Sequence, residues 1–220
     1  MNQFGIVQPT APAIELEHPS HDGEHLTAVV LGLPFSGTSM VAGVVDALGV
    51  PFVKSEEFWF AYEASEFNNR PLEQVRESIV SWNDRYPVWG FKDPHAKRHD
   101  ASEFHASLRN PHYIIVTKDV ASMTARLVQN PIVPDDGGTP MDRLRYEVAE
   151  HVAFMQLVLA LPPAPKLLVS YHAALRLPET FCEAIKAFLN LTIEYDLLIK
   201  AVNRISEYGG YLVKEGTDGS

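Results

Sequence analysis

The sequence predicts an α/β domain with a mainly parallel, four- to five-stranded sheet flanked by helices, and three observations carry that expectation. Short β-branched runs recur along the chain, apolar on both faces, as strands buried between two helical layers must be. Segments of helical spacing separate them, so successive strands are joined by crossovers rather than hairpins. The composition has no break: 220 residues, 46% hydrophobic and 21% charged, supply one packed core and exclude wholesale disorder.

The first run, residues 27–31, ends in a glycine-bounded loop. It leads into a helix on which Met40, Val41, Val44, Val45 and Leu48 recur at helical spacing, with Gly49 placed to stop it. Pro71 opens a helix with Leu72, Val75 and Ile79 on one stripe, and residues 88–92 form the second strand. Asp100 and Glu103 have the spacing of a capping box, starting a helix that carries Phe104 and Leu108. Residues 113–117 are the third strand, and the helix after it, through Met123 and Leu127, must end before Pro131. Thr139 and Pro140 start a long helix to about residue 161, with Val152, Phe154, Met155, Leu157 and Val158 expected in the core. Residues 166–170 make the fourth strand, Pro178 opens a helix through Phe188, and residues 195–208 form the last. Residues 1–25, with three prolines, four acids and three histidines, read as a flexible polar leader, 26–212 as a single domain and 213–220 as a flexible tail.

Charge and cysteine usage narrow the function. Lys+Arg 18 against Asp+Glu 28 leaves a formal charge of -10, the wrong sign for holding nucleic acid by its phosphates, so nucleic acid stays open only as an acceptor. Cys182 is the single cysteine, which excludes an intramolecular disulfide and a thiolate zinc cluster and fits a reducing cytoplasm. No apolar run approaches the roughly 20 residues that span a bilayer, and the leader lacks a signal peptide's basic start and apolar run. No membrane association is expected. His18, His21 and His25 read as histidines of a solvated leader in preference to a metal tract.

The chemistry lies in Gly32-Leu33-Pro34-Phe35-Ser36-Gly37-Thr38-Ser39. Its glycines have the spacing of a phosphate-binding loop, with Thr38 where such loops carry Lys. Because the loop follows a buried strand and opens a helix, backbone N–H groups and the helix dipole converge on one anion site. Ser36, Thr38 and Ser39 add hydroxyl donors.

Residues 32–50 (GLPFSGTSMVAGVVDALGV) resemble the 5′-phosphosulfate-binding loop and first helix of the sulfotransferases. Trp89-Gly90-Phe91-Lys92-Asp93-Pro94 is similar to a strand end of that family, and residues 168–191, with Ser170-Tyr171, Pro178 and Phe188-Leu189, to its later strand, turn and helix. The likeness runs in order over roughly residues 27–210. It implies a divergent member: a P-loop three-layer sandwich using 3′-phosphoadenosine 5′-phosphosulfate as donor to a hydroxyl acceptor, with no metal. Three departures accompany it. Phe35 replaces a basic residue that stabilises charge on the transferred group, and Lys92 is the nearest substitute by topology. Lys118 replaces the Arg that contacts the 3′-phosphate, and Arg126 stands where the family has Ser. Phe67-Asn68-Asn69 lacks the expected Glu, leaving Glu63 or Glu66 as candidate base.

The resulting assignment has Gly32, Pro34, Phe35, Ser36, Gly37, Thr38 and Ser39 at the 5′-phosphate, Lys118 and Arg126 at a ribose phosphate, Lys92 on the transferred group and Glu63 or Glu66 as base. Aromatic residues Phe58, Trp59, Phe60, Tyr62 and Phe67 serve as core or lid and suggest a planar or apolar acceptor, while residues 129–139 form a candidate lid. Two alternatives stay open. One is a kinase moving phosphate from ATP to a small hydroxyl compound, nucleotide or hydroxymethylated base, with Mg²⁺ at Ser39 and Asp93. The other is a catalytically silent nucleotide-binding protein.

Overall fold

The computed structural model describes residues 11–17, 25–54, 62, 67, 70–93, 101–129 and 138–211. Five strands, β1 (Ala13–Glu17), β2 (Leu26–Gly32), β3 (Val88–Asp93), β4 (Pro111–Thr117) and β5 (Lys166–Ser170), form one sheet in the order β1-β5-β4-β2-β3. β2 is parallel to β3 on one side and to β4 on the other, and β4 is parallel to β5. Eight helices complete the described residues: α1 (Thr38–Ala47), α2 (Leu72–Arg85), α3 (Ala101–Ala106), α4 (Val120–Gln129), α5 (Pro140–Ala160), α6 (Tyr171–Arg176), α7 (Pro178–Phe188) and α8 (Tyr195–Tyr211).

Strand alternation divides the core into two layers. Leu26, Ala28 and Val30 of β2, with Ile114, Val116, Leu167 and Val169, face α1, α7 and α8. Val29 and Leu31, with Trp89, Phe91, Tyr113 and Ile115, face Val75 and Ile79 of α2, Met123 of α4, and Phe154 and Val158 of α5. Every residue of β2 is buried. This is the α/β three-layer sandwich expected from the sequence, with its four parallel strands where the apolar runs fall.

Four details depart from expectation. Residues 13–17, inside the stretch read as a polar leader, form the antiparallel edge strand β1 on β5, with a register shift between Glu15 and Glu17. Its Ile14 and Leu16 are exposed, so pairing rests on backbone hydrogen bonds that leave little trace in hydropathy. α6 is a second addition, capped by Ser170, whose Oγ accepts the Ala173 N–H at 3.4 Å. In α5 only part of the apolar far end is core. Phe154 and Val158, one turn apart, pack on the sheet, whereas Val152 and Met155 are exposed because one stripe of a single-sided helix faces inward. α3 ends at Ala106, short of the buried Leu108, while its proposed cap Asp100 lies outside the described residues. Among the described residues, no helix is long and apolar enough to cross a membrane.

Gly49 ends α1 at a φ of 93°, with Leu197 Cδ1 the nearest atom to a Cβ placed there, at 3.5 Å. Space is available, so Gly49→Ala is expected to cost only backbone strain, about 1 kcal/mol, and to lower Tm by about 2–4 °C in calorimetry. Cys182 is buried, and that burial, with a smaller contribution from Glu183, pushes its thiol up to about 12. Ellman's reagent is therefore expected to leave the native protein unlabelled and to titrate one thiol after unfolding.

Candidate functional site

β2 carries the chain to the carboxyl edge of the sheet with β3 on one side and β4 on the other, the position at which open parallel sheets bind ligands. The loop that follows closes on itself. Ser36 N–H donates to the Leu33 carbonyl at 3.0 Å, and the Gly37 carbonyl takes the N–H groups of Met40 and Val41 at 3.1 and 3.3 Å as α1 begins. Phe35 and Gly37 hold φ values of 68° and 99°, left-handed backbone that costs a non-glycine residue roughly 1–2 kcal/mol. A Cβ on Gly37 would also overlap the Tyr171 ring, so position 37 is closed to side chains on two grounds.

The loop corrects two details of the expected cradle. Ser36 N–H is engaged inside the turn, which removes it from the donors between Phe35 and Ser39. The Ser36 hydroxyl lies against Gly32, fully buried and without a hydrogen-bond partner among the described residues. Thr38 and Ser39 open α1, and their N–H groups, having no acceptor within the helix, emerge at its positive end.

One flank of the loop is basic from below. Lys92, 3% exposed and paired in register with Val30, sends Nζ to Ser39 Oγ at 3.1 Å. It is thus no surface lysine, and its Nζ lies beside the N-terminus of α1. Asp93, next on β3, is buried at the same edge.

The other flank is built by the end of β4. Asp119 Oδ1 accepts Ser122 N–H at 2.7 Å, fixing the start of α4, and Oδ2 lies 2.8 Å from His172 Nε2 on α6. Burial opposes ionisation of Asp119, but the hydrogen bonds from Ser122 and His172 prevail and hold it below the ordinary carboxylate value. Lys118 Nζ stands 4.9 Å from the centre of the Tyr171 ring. Burial lowers the Lys118 pKa, Asp119 pulls it back up, and the charge of Arg126 lowers it further. Burial raises the Tyr171 hydroxyl, while Arg126 opposes the rise. Lys118 and Tyr171 thus stand together beside the loop, and the charge of Arg126 reaches both.

The third wall is a cleft of about 470 Å³ between Leu33, Pro34 and Phe35 of the loop, Leu127 of α4 and the first turns of α5. Glu147 lines it, only 4% exposed. Burial raises its pKa, His151 opposes the rise and Glu150 adds to it. Glu147 Oε2 has no hydrogen-bond partner among the described residues, and His151 Nδ1 lies 3.8 Å away. The His151 ring is held by backbone, Nδ1 at 2.8 Å from the Glu147 carbonyl and Nε2 at 3.2 Å from that of Lys118.

Glu63 and Glu66 lie outside the described residues, as do Phe58, Trp59 and Phe60 and residues 130–137 of the candidate lid. Tyr62 and Phe67 are core: Tyr62 packs edge-on to Phe52 and donates to Asp46, and Phe67 packs against Phe91. Glu147, His151 and Tyr171 escaped the sequence reading. A signal for Glu147 existed, since residues 147, 151, 154 and 158 follow helical spacing and put a carboxylate on the stripe that buries Phe154 and Val158.

No family model and no curated protein matches this sequence. Solved structures do match its fold. The mouse sulfotransferase SULT7A1 complexed with PAP aligns with a TM-score of 0.52 at 14% identity, over 81% of this chain and 63% of that one. The sulfotransferase domain from the curacin biosynthetic pathway aligns with a TM-score of 0.53 at 14% identity, over 79% of this chain and 76% of that one. A sugar kinase from Janibacter aligns with a TM-score of 0.48 at 17% identity, over 76% of this chain and 96% of that one. The chain thus spans a little under two thirds of the mouse enzyme. At these identities the likeness is one of fold, the α/β P-loop sandwich that the sulfotransferase structures share with this chain.

Gly37→Val places a branched side chain on left-handed backbone and against Tyr171. It is expected to preserve the far-ultraviolet circular dichroism spectrum while weakening adenosine 3′,5′-bisphosphate at least tenfold in calorimetry. Unchanged affinity would exclude the loop as a phosphate site.

Proposed function

We propose that the chain is a nucleotide-dependent group transferase that moves a sulfuryl group from a 3′-phosphoadenosine 5′-phosphosulfate-type donor to a hydroxyl acceptor. The observation that supports this reading is that Lys118, 4.9 Å from the centre of the Tyr171 ring that lies against Gly37, flanks the phosphate loop, with the charge of Arg126 acting on it. Two positive side chains on one flank of the loop offer a second anion site beside the one that would hold the 5′-phosphate. A donor with a second phosphate on its ribose matches two separate anion sites; a nucleoside triphosphate, with its phosphates in one chain, does not require the second.

In this reading the N–H groups of Thr38 and Ser39 and the dipole of α1 bind the 5′-phosphate, with Pro34 and Phe35 shaping the loop. Lys92, directed at Ser39, supplies positive charge near the transferred group in place of the basic residue that Phe35 replaces. The donor, when bound, supplies a sulfur centre with a phosphate leaving group. The acceptor is a hydroxyl compound of modest size, and the apolar residues around the cleft favour a planar or apolar body.

A phosphate-transferring reading draws on one specific observation, the buried Asp93 at the end of β3 beside Lys92. With Ser39 at the start of α1, it would give a Mg²⁺–ATP complex a hydroxyl and a carboxylate. The two readings separate on the ribose.

Charge-assisted hydrogen bonds contribute roughly 1.5–3 kcal/mol each, so loss of one cation weakens its phosphate about tenfold or more. Lys118→Ala and Arg126→Ala are each expected to weaken adenosine 3′,5′-bisphosphate by at least that factor and adenosine 5′-monophosphate by less than twofold in calorimetry. The difference should shrink as salt rises. Equal losses for both nucleotides would remove the ribose-phosphate site and favour ATP. The Lys118 pKa is lowered in the free protein, so affinity for the bisphosphate should also begin to fall with rising pH below the ordinary lysine range, where Lys118 loses the proton that the phosphate needs.

A further inference from the structure

Beside the phosphate loop, one wall of the 470 Å³ cleft is lined by Glu147, whose Oε2 is enclosed without a hydrogen bond among the described residues and lies 3.8 Å from His151 Nδ1. Glu147 projects from the inward stripe of α5, two turns before Phe154, and its side chain is almost wholly enclosed. An enclosed carboxylate without a hydrogen bond is costly, and packing alone would favour an uncharged residue on that stripe. The cleft's other surfaces suit a substrate body: Leu33, Pro34 and Leu127 are apolar, and the Phe35 ring borders the same space.

We propose that Glu147 is the general base, taking the proton from an acceptor hydroxyl seated in this cleft. The inference rests on the transferase reading and extends it to a residue outside the loop and its two cationic flanks. The acceptor's O–H bond breaks and its proton passes to the Glu147 carboxylate. The acceptor oxygen bonds to sulfur, the bond from sulfur to the bridging oxygen breaks, and that electron pair leaves with the 5′-phosphate of the nucleotide. No oxidant, reductant or metal enters the balance. His151 is a positioning residue: its ring is fixed by the carbonyls of Glu147 and Lys118, which tie the base-bearing turn of α5 to the end of β4. The acceptor class is a phenol or primary alcohol with an apolar body small enough for the cleft.

Among the described residues, the charged and titratable groups along the cleft come from α5: Asp142, Arg143, Tyr146, Glu147 and Glu150, with His151 Nδ1 3.8 Å from Glu147 Oε2. Among the described residues, the loop and α4 contribute Leu33, Pro34, Phe35 and Leu127 to it. Because burial raises the Glu147 pKa, its ionised form destabilises the fold above that raised value, and the penalty disappears as pH falls toward the unfolded carboxylate value.

The test compares wild type, Glu147→Gln and Glu147→Asp with labelled phosphosulfate donor and a panel of phenols and primary alcohols. Glu147→Gln should lose at least about 100-fold in kcat/KM, and Glu147→Asp should retain more activity than Gln. Both should bind adenosine 3′,5′-bisphosphate within twofold of wild type. In the absence of substrate, Glu147→Gln should melt at or above wild type at pH 8, with the gap closing as pH falls. Full transfer by Glu147→Gln would overturn the proposal while leaving the transferase reading intact. A Gln variant that melts below wild type at pH 8 would also overturn it, because the carboxylate would then be a structural partner. Wild type that transfers to no acceptor in the panel would sink the transferase reading and the base with it.

Discussion

A strand covered on both faces and bonded along both edges has nowhere to move, and β2 is that strand. All seven of its residues are buried, β3 and β4 take its backbone hydrogen bonds, and helices close it above and below. The phosphate loop inherits this rigidity because it begins where β2 ends. The two basic flanks inherit it as well, since Lys92 and Lys118 stand at or just beyond the ends of the two strands that pair with β2. Preorganisation here is a property of the sheet, with the loop as its exposed margin.

Electrostatics within the site run against the protein as a whole. A chain with formal charge -10 repels an anionic nucleotide at long range, yet Lys92, Lys118, Arg126 and the N-terminus of α1 concentrate positive potential at one edge. Low-dielectric walls strengthen such a local field, while its distant acidic counterparts are screened within about a Debye length. The same enclosure pushes both kinds of group toward neutrality: burial lowers the Lys118 pKa and raises that of Glu147. Groups that stability alone would remove persist at one edge of the sheet.

How much of this was legible depends on which force shaped each element. The four parallel strands and the main helices are written in hydrophobic spacing because burial drives them. β1 is held by backbone pairing, and its sequence of apolar and acidic residues resembles any solvated segment. α6 is a single capped turn and a half between a strand and Pro178, too short to show a period. The loop 32–39 was readable from its glycines, whereas Lys118 and Arg126 were singled out only through the family resemblance. Glu147 was not singled out because its chemistry comes from α5 lying across the cleft mouth, a tertiary fact. Its polarity on an otherwise buried stripe was the only trace.

The backbone at Phe35 separates two properties that would otherwise be tied together. Any unbranched side chain there meets the same left-handed conformation, so the loop's shape is indifferent to whether the residue is aromatic or basic. The side chain borders the cleft and leaves the turn's own hydrogen bonds untouched. A residue at position 35 can therefore change in charge without remaking the turn that delivers the chain to α1, and Lys92 stands beside the start of that helix whatever position 35 carries.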